Sequence, residues 1–219
     1  MVLLVESNPR GAKLSYDSFE DVIAHLVSRW QQADKTILRP LFSLLAEGTP
    51  VSPKRLAELT GQDLVLVEQA LISGRTSRDE DGNVIELFGI MQMPARHRIQ
   101  IGQVCLFSCC ALVAQMVPVF LGKPARIESV DPISNRLISL DISPLGIQSV
   151  APQSAVGTLV ITNQEEVLSD VRSAFCTHVH HFPDAESAQD FIAKDSRRYL
   201  VTIQRFNEAS HRLCTAIWG

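Results

Sequence analysis

The chain predicts an α+β protein, with a helical, winged-helix-like N-terminal module packed on a mixed α+β domain that carries the thiols. Three observations predict this class. Apolar residues recur at helical spacing through most of residues 16–72. The turn signal Asp79-Glu80-Asp81-Gly82-Asn83 then opens short strand-like runs. Beyond residue 100, such runs alternate with further helical periods. The expected modules are therefore residues 1–100 and 101–219.

Each element has a local reason. Residues 1 to about 15 read as loosely structured. Phe19, Val22, Ile23, Leu26 and Trp30 give a helical period over Tyr16 to Trp30. Ile37, Leu38, Leu41, Leu44 and Leu45 share one face of a helix from Lys35 to Glu47, which Gly48 stops. Ser52 and Pro53 suit an N-cap and first turn for a third helix, running to Thr60 and ended by Gly61. Asp63 is placed to cap a fourth, from Leu64 to about Ile72. Residues 75–102 read as a hairpin or small sheet. The apolar stretch from Cys105 to Leu121 predicts a buried helix that Pro118 kinks or ends. Strands are expected at Arg126–Val130 and Leu137–Ile142, about the Asp131-Pro132-Ile133-Ser134-Asn135 turn, and at Ile147–Val150 and Thr158–Ile161. Glu165–Ala174 has helical period, Cys176–Phe182 alternates like a strand, and Asp184–Lys194 is amphipathic. A strand at Leu200–Ile203 and a helix at Asn207–Ile217 close the chain.

With 219 residues, 46% of them hydrophobic and 20% charged, the chain can bury a proper core. The apolar run from Cys105 to Phe120 is interrupted by Ser108, Gln115 and Pro118 and is shorter than the roughly 20 residues a membrane span needs. Glu6 and Arg10 near the start do not fit a secretory leader, so the expected location is the cytoplasm, with no membrane partner. Five cysteines in a reducing compartment are expected to be free thiols.

A net charge of −4 argues against a general nucleic-acid binder. Val51–Leu71 has the outline of a helix-turn-helix. Its would-be recognition helix, Asp63–Ile72, offers only Asp63, Glu68 and Gln69 as polar residues, and no cation for phosphates. A structural role for this module is expected, and no nucleic-acid partner.

Two stretches carry the chemistry, Leu106-Phe107-Ser108-Cys109-Cys110-Ala111-Leu112 and Ala174-Phe175-Cys176-Thr177-His178-Val179-His180-His181-Phe182. In order and flanking sequence they resemble the active-site segments of the organomercurial (alkylmercury) lyases. The likeness extends to Leu38-Arg39-Pro40-Leu41, Gly48-Thr49-Pro50-Val51-Ser52, Asp81-Gly82-Asn83, Gly122-Lys123-Pro124-Ala125-Arg126, Ile142-Ser143-Pro144 and Asp170-Val171-Arg172-Ser173. It implies that Cys110 and Cys176 are catalytic and bind mercury transiently as thiolates, and that a proton is delivered to carbon. Soft thiolates polarise the metal and make the metal–carbon bond easier to protonate. The implied partners are a small-molecule organometal or other soft electrophile, with small thiols accepting the product, and no cofactor. Three positions depart from the pattern: Val113 stands where the family has its proton-donating aspartate, Cys109 where a tryptophan is usual, and Asp131 where some members have a further cysteine.

The same residues have plainer readings. Cysteine is often a small core residue, which is the expectation for Cys105 and Cys214; Cys109 could be packing or an added thiol. A place near a helix N-terminus would favour a Cys110 thiolate. If residues 176–182 form a strand, Cys176, His178 and His180 share a face, which leaves metal coordination open beside simple packing. As an accessory group, His178 could stand in for the missing acid. Glu165 and Glu166 are expected to pair with a helix dipole and Asp170 to be solvated. The leading expectation is protonolytic carbon–metal cleavage, slowed or altered by Val113. Its alternatives are metal or small-molecule binding without turnover, a repurposed lyase of a biosynthetic pathway, and a regulator that senses metal through its cysteines.

Overall fold

The computed structural model describes residues 16–31 and 33–218, so the segment read as loosely structured lies outside the described residues. Helix α1 (Tyr16–Gln31) buries Phe19, Val22, Ile23, Leu26 and Trp30, the positions its period singled out. Helix α2 (Lys35–Leu45) starts where the Asp34 carboxylate accepts from the Thr36 amide at 3.0 Å. It ends two residues before the expected last residue, Glu47, and Gly48 takes up the positive φ of the following turn. Helix α3 (Pro53–Thr60) is capped by Ser52, which accepts from the Arg55 amide, and closes on left-handed Gly61. Helix α4 (Leu64–Ser73) is capped by Asp63.

Eight antiparallel strands follow: β1 (Ser77–Arg78), β2 (Val84–Leu87), β3 (Ile90–Met91), β4 (His97–Ile101), β5 (Val104–Ser108), β6 (Ala125–Val130), β7 (Leu137–Ser143) and β8 (Gly146–Ala151). They form one sheet in the order β1-β2-β3-β5-β4-β6-β7-β8. The β1–β2 hairpin is the wing of the helical module, and a two-way bridge between Val51 and Val84 ties it to the helices. A second, three-stranded sheet sets β9 (Val156–Val160) between β10 (His181–Phe182) and β11 (Arg198–Thr202). The remaining helices are α5 (Ala111–Leu121), α6 (Gln164–Ala174), α7 (Gln189–Ala193) and α8 (Ile203–Trp218).

Helix α5 is apolar except for Gln115 because two of its sides are packed: it lies on β4–β7 on one side and against α8 on the other. Helix α8 also touches β8, β9 and β11, and α1 packs across α8 and α6. Gly157 on β9 is required by this packing, since a Cβ there would sit 1.6 Å from the Phe206 ring of α8. Gly157→Ala is expected to cost about 1–3 kcal/mol or more through overpacking, measurable by denaturant titration.

Four expectations are corrected. Residues 104–108 form a strand and not the start of a helix over Cys105–Leu121, which begins only at Ala111. An apolar run reads alike for a buried strand and a buried helix, and a turn at Gly102 (φ 55°) folds β5 back onto β4. Pro118 does not end α5, which runs on to Leu121. Cys176–His178 is a single 3-10 turn and only His181–Phe182 is strand, so Cys176, His178 and His180 are not three residues on one strand face. Finally, the helix expected over Asp184–Lys194 is confined to Gln189–Ala193, and Asp184 instead accepts from the Ser187 amide in a turn.

Candidate active site

The site forms where β5 meets α5. At the end of β5 the buried Ser108 hydroxyl donates to the Cys110 carbonyl at 3.0 Å and accepts from the Cys110 amide at 3.3 Å, fixing a sharp turn through Cys109. The Cys109 amide donates to the carbonyl of Gly89. Gly89 has φ of 79°, and a Cβ there would lie 2.7 Å from the Cys109 sulfur. The absent side chain is what makes room for the thiol. Gly89→Ala is therefore expected to cost about 1–2 kcal/mol for the left-handed backbone alone, and to displace the Cys109 sulfur. Thermal unfolding reads the first effect and alkylation rate the second.

The second segment reaches the same place by a long-range bond. Helix α6 is interrupted at Asp170 (φ −151°, ψ 87°), and its end leads into the 3-10 turn that carries Cys176. The Ala111 amide in the first turn of α5 donates to the Val179 carbonyl at 3.0 Å. From the other side the Thr158 hydroxyl donates to the His178 carbonyl at 2.8 Å and accepts from the His180 amide. These bonds pin the turn, and the sulfurs of Cys109, Cys110 and Cys176 all lie within 4.8 Å of one another. Cys110 and Cys176 are buried, and Cys109 is half-buried.

A cavity of about 280 Å³ opens onto this group. Cys109 and Cys176 line it, with Val113, Leu112, Met116, Phe88, Trp30 and Phe175 as its apolar wall. Val113, the position where the resemblance puts the acid, is thus on the cavity wall, one helical turn beyond Cys110.

The three thiols are electrostatically unequal. The neighbouring Cys110 and Cys176 thiols, as donors, hold Cys109 well below the usual thiol range, and the Arg172 guanidinium adds to this. Burial pushes Cys110 up, although it is the N-cap residue of α5 as its expected place required. The helix dipole is worth about 0.3–1 kcal/mol at an exposed site, less than the cost of charging a fully buried sulfur beside another anion. Cys176 is raised by its donation to Cys109 and by burial. The negative charge of the group is thus favoured at Cys109 and disfavoured at the two more deeply buried sulfurs.

Arg172 was not singled out by the sequence reading as a site residue. It lines the cavity and pairs with buried Glu86 of β2, which also accepts from Ser77 at 2.7 Å. Burial alone would lower Arg172; Glu86 and the sulfurs outweigh it and hold the cation. Replacing it with Gln is expected to raise the Cys109 pKa, so that iodoacetamide modification of Cys109 moves to higher pH; an unchanged pH profile would show that the cation plays no such part.

The structure does not bring His178 to the thiols. Its Nδ1 accepts from Arg198 Nε at 2.9 Å, which leaves Nε2–H to donate to the Ser173 carbonyl at 3.2 Å. Burial lowers its pKa. His180 and His181 are buried and outside the sulfur group; the Gln115 amide donates to His181 Nε2 and Ser129 bridges His181 to His97. Cys214 is buried against the Met116 carbonyl, and Cys105 lies on β5 outside the group. Glu165 and Glu166 sit in the first turn of α6, where Glu166 completes a capping box with Asn163. Asp170, exposed at the kink, accepts from the Ser173 hydroxyl at 2.7 Å. Asp131 is buried and accepts from the Ile133 amide in its turn. Among the described residues, no helix is long and apolar enough to cross a membrane.

The chain is similar to known proteins in sequence and in fold. The alkylmercury lyase family model matches residues 90–215, and the model for the helix-turn-helix domain of alkylmercury lyase matches residues 26–88. The alkylmercury lyase of Staphylococcus epidermidis is 30% identical over 178 residues, 81% of each chain. That of Bacillus cereus is 32% identical over 171 residues, 78% of this chain and 77% of its own. The crystal structure of the mercury-bound form of MerB2 superposes with a TM-score of 0.76 at 18% identity, covering 90% of this chain and 99% of that one, a likeness of fold. Fold, thiol cavity and sequence thus agree that the chain belongs to the alkylmercury lyase family, a family of lyases.

Proposed function

We propose that the protein cleaves the carbon–mercury bond of a small organomercurial by protonolysis at Cys110 and Cys176, with Cys109 as capture group and proton relay. The observation that carries this reading is the convergence of three sulfurs on one apolar cavity, with the surroundings favouring charge on Cys109 over the other two. The substrate arrives as an adduct of a small thiol. The Cys109 thiolate attacks the metal and the small thiolate leaves. One buried thiol then replaces Cys109 on mercury and gives Cys109 its proton. The other adds as the second ligand, and its proton restores the small thiol. With two sulfurs on the metal the carbon is electron-rich, and the Cys109 proton passes to it, releasing the hydrocarbon. One proton ends on carbon and one on the small thiol, mercury is held by Cys110 and Cys176, and Cys109 is again a thiolate. Two small thiols exchange the metal off and reprotonate the pair.

The apolar wall supports the same reading, since it suits a hydrocarbon substituent and keeps water from competing for the metal. The helix-turn-helix module is read as structural: α4 exposes Leu64, Val65, Leu66 and Ile72 and carries no Lys or Arg. A gel-shift assay at low salt is expected to show no retained DNA, and retention there would revive the regulator.

The dependence on small thiols tests the proposal. Without added thiol, an arylmercury compound is expected to give one burst of free arene per chain and then stop; excess thiol restores turnover. Arene release that continues unchanged after all the cysteines are alkylated would refute the assignment.

A further inference from the structure

We propose that Cys109, Cys110 and Cys176 also form a three-thiolate site for an inorganic trivalent metalloid, of which arsenite is the probe. Ligand number favours such an ion. Three sulfurs lie within 4.8 Å of one another, and among the described residues no histidine or carboxylate joins them. Structural zinc takes four ligands from nitrogen and sulfur donors, so three sulfurs under-fill it. Mercury(II) is satisfied by two thiolates and leaves the third unused. Trivalent arsenic takes three sulfurs and keeps a lone pair on its open side, which matches a group with three soft donors and an apolar wall at Val113. Sulfurs bound to one ion at about 2.3 Å lie roughly 3.8 Å apart in a tetrahedral arrangement, so small side-chain rotations close the group. Gly89 makes the third donor possible, because any side chain there would occupy the place of the Cys109 sulfur.

The reaction balances without a redox step. Arsenite, As(OH)₃, loses three As–O bonds and gains three As–S bonds. The hydroxides leave as three waters, taking protons from the thiols and, for a sulfur already ionised, from solvent. Arsenic stays trivalent. No carbon–metal bond is involved, so the site goes beyond the lyase reading and does not depend on it.

The test is titration of the reduced, full-length protein with arsenite under anaerobic conditions, counting free thiols and weighing the intact adduct. The wild type is expected to lose three thiols per arsenic, with an adduct mass of one arsenic less three hydrogens. Phenylarsonous acid, with only two exchangeable oxygens, is expected to consume two. Cys109→Ser should lose two thiols to arsenite and bind it at least about tenfold more weakly, whereas Cys105→Ser and Cys214→Ser should behave as wild type. Loss of only two thiols in the wild type, or no binding, would overturn the proposal; being read on the wild type, either result stands even if a variant misfolds. A chain that takes arsenite on three thiols but releases no arene would refute the lyase reading and leave this one standing.

Discussion

Replacing either Cys110 or Cys176 with serine is expected to lower arene release from an arylmercury substrate by about 10³-fold or more, the scale on which nucleophile loss acts in enzymes that use one. Serine keeps the volume and the hydrogen-bonding capacity of the thiol but replaces a soft ligand with a hard one, so the metal loses a donor while the fold is preserved. Cys109→Ser is expected to fall between these variants and wild type, because capture slows and the less acidic hydroxyl relays the proton more slowly, while the closing pair remains. Cys214→Ser, whose hydroxyl can still donate to the Met116 carbonyl, and Cys105→Ser should retain the wild-type rate. Circular dichroism separates loss of chemistry from loss of fold. A Cys176→Ser protein that folds and keeps the full rate would remove the central pair from the mechanism.

Val113→Asp is the converse experiment, with an expected gain. The side chain is 8% exposed and lines the cavity one turn from Cys110, so a carboxyl there would stand beside the thiols. Burial and the nearby Cys109 thiolate would both disfavour its charged form and raise its pKa, which is what a proton donor at neutral pH needs. A positioned general acid contributes about 10²–10⁴-fold, and a gain in single-turnover arene release within that range is expected. Burying the group should cost about 1–3 kcal/mol of stability. The sign of the pH dependence follows: the added rate is present below the new carboxyl's folded pKa and lost as pH rises through it. Because that pKa lies above its unfolded value, the variant loses stability over the same rise. An unchanged rate in a folded Val113→Asp protein would mean that proton supply does not limit the reaction.

The N-terminal helices were legible because their ends are local. Ser52 and Asp63 each cap through an amide within three residues and Gly61 supplies the left-handed backbone at its own position, and sequence spacing records such features directly. The two cysteine segments were not. The strand at Val104–Ser108 depends on pairing with β4 and β3, which an apolar run cannot reveal. The turn at Cys176–His178 is set by the Ala111 amide and the Thr158 hydroxyl, both distant in sequence. Alternation there suggested a strand, and with it a shared face for His178 that the fold does not make. The meeting of Cys110 with Cys176 had no local signature and came only from likeness to a family. Arg172 and Glu86 form one pair across the cavity from positions that no spacing rule connects. Gly89 could have been noticed as a glycine after a strand, but what it makes room for is visible only once Cys109 is placed.

The most direct test of the central claim is incubation of the wild-type protein with one equivalent of phenylmercury and no added thiol, counting benzene released and mercury retained per chain. One benzene and one mercury per chain are expected, both abolished by prior alkylation of the thiols. One mercury retained with no benzene would contradict the claim and leave a soft-metal trap in a lyase fold.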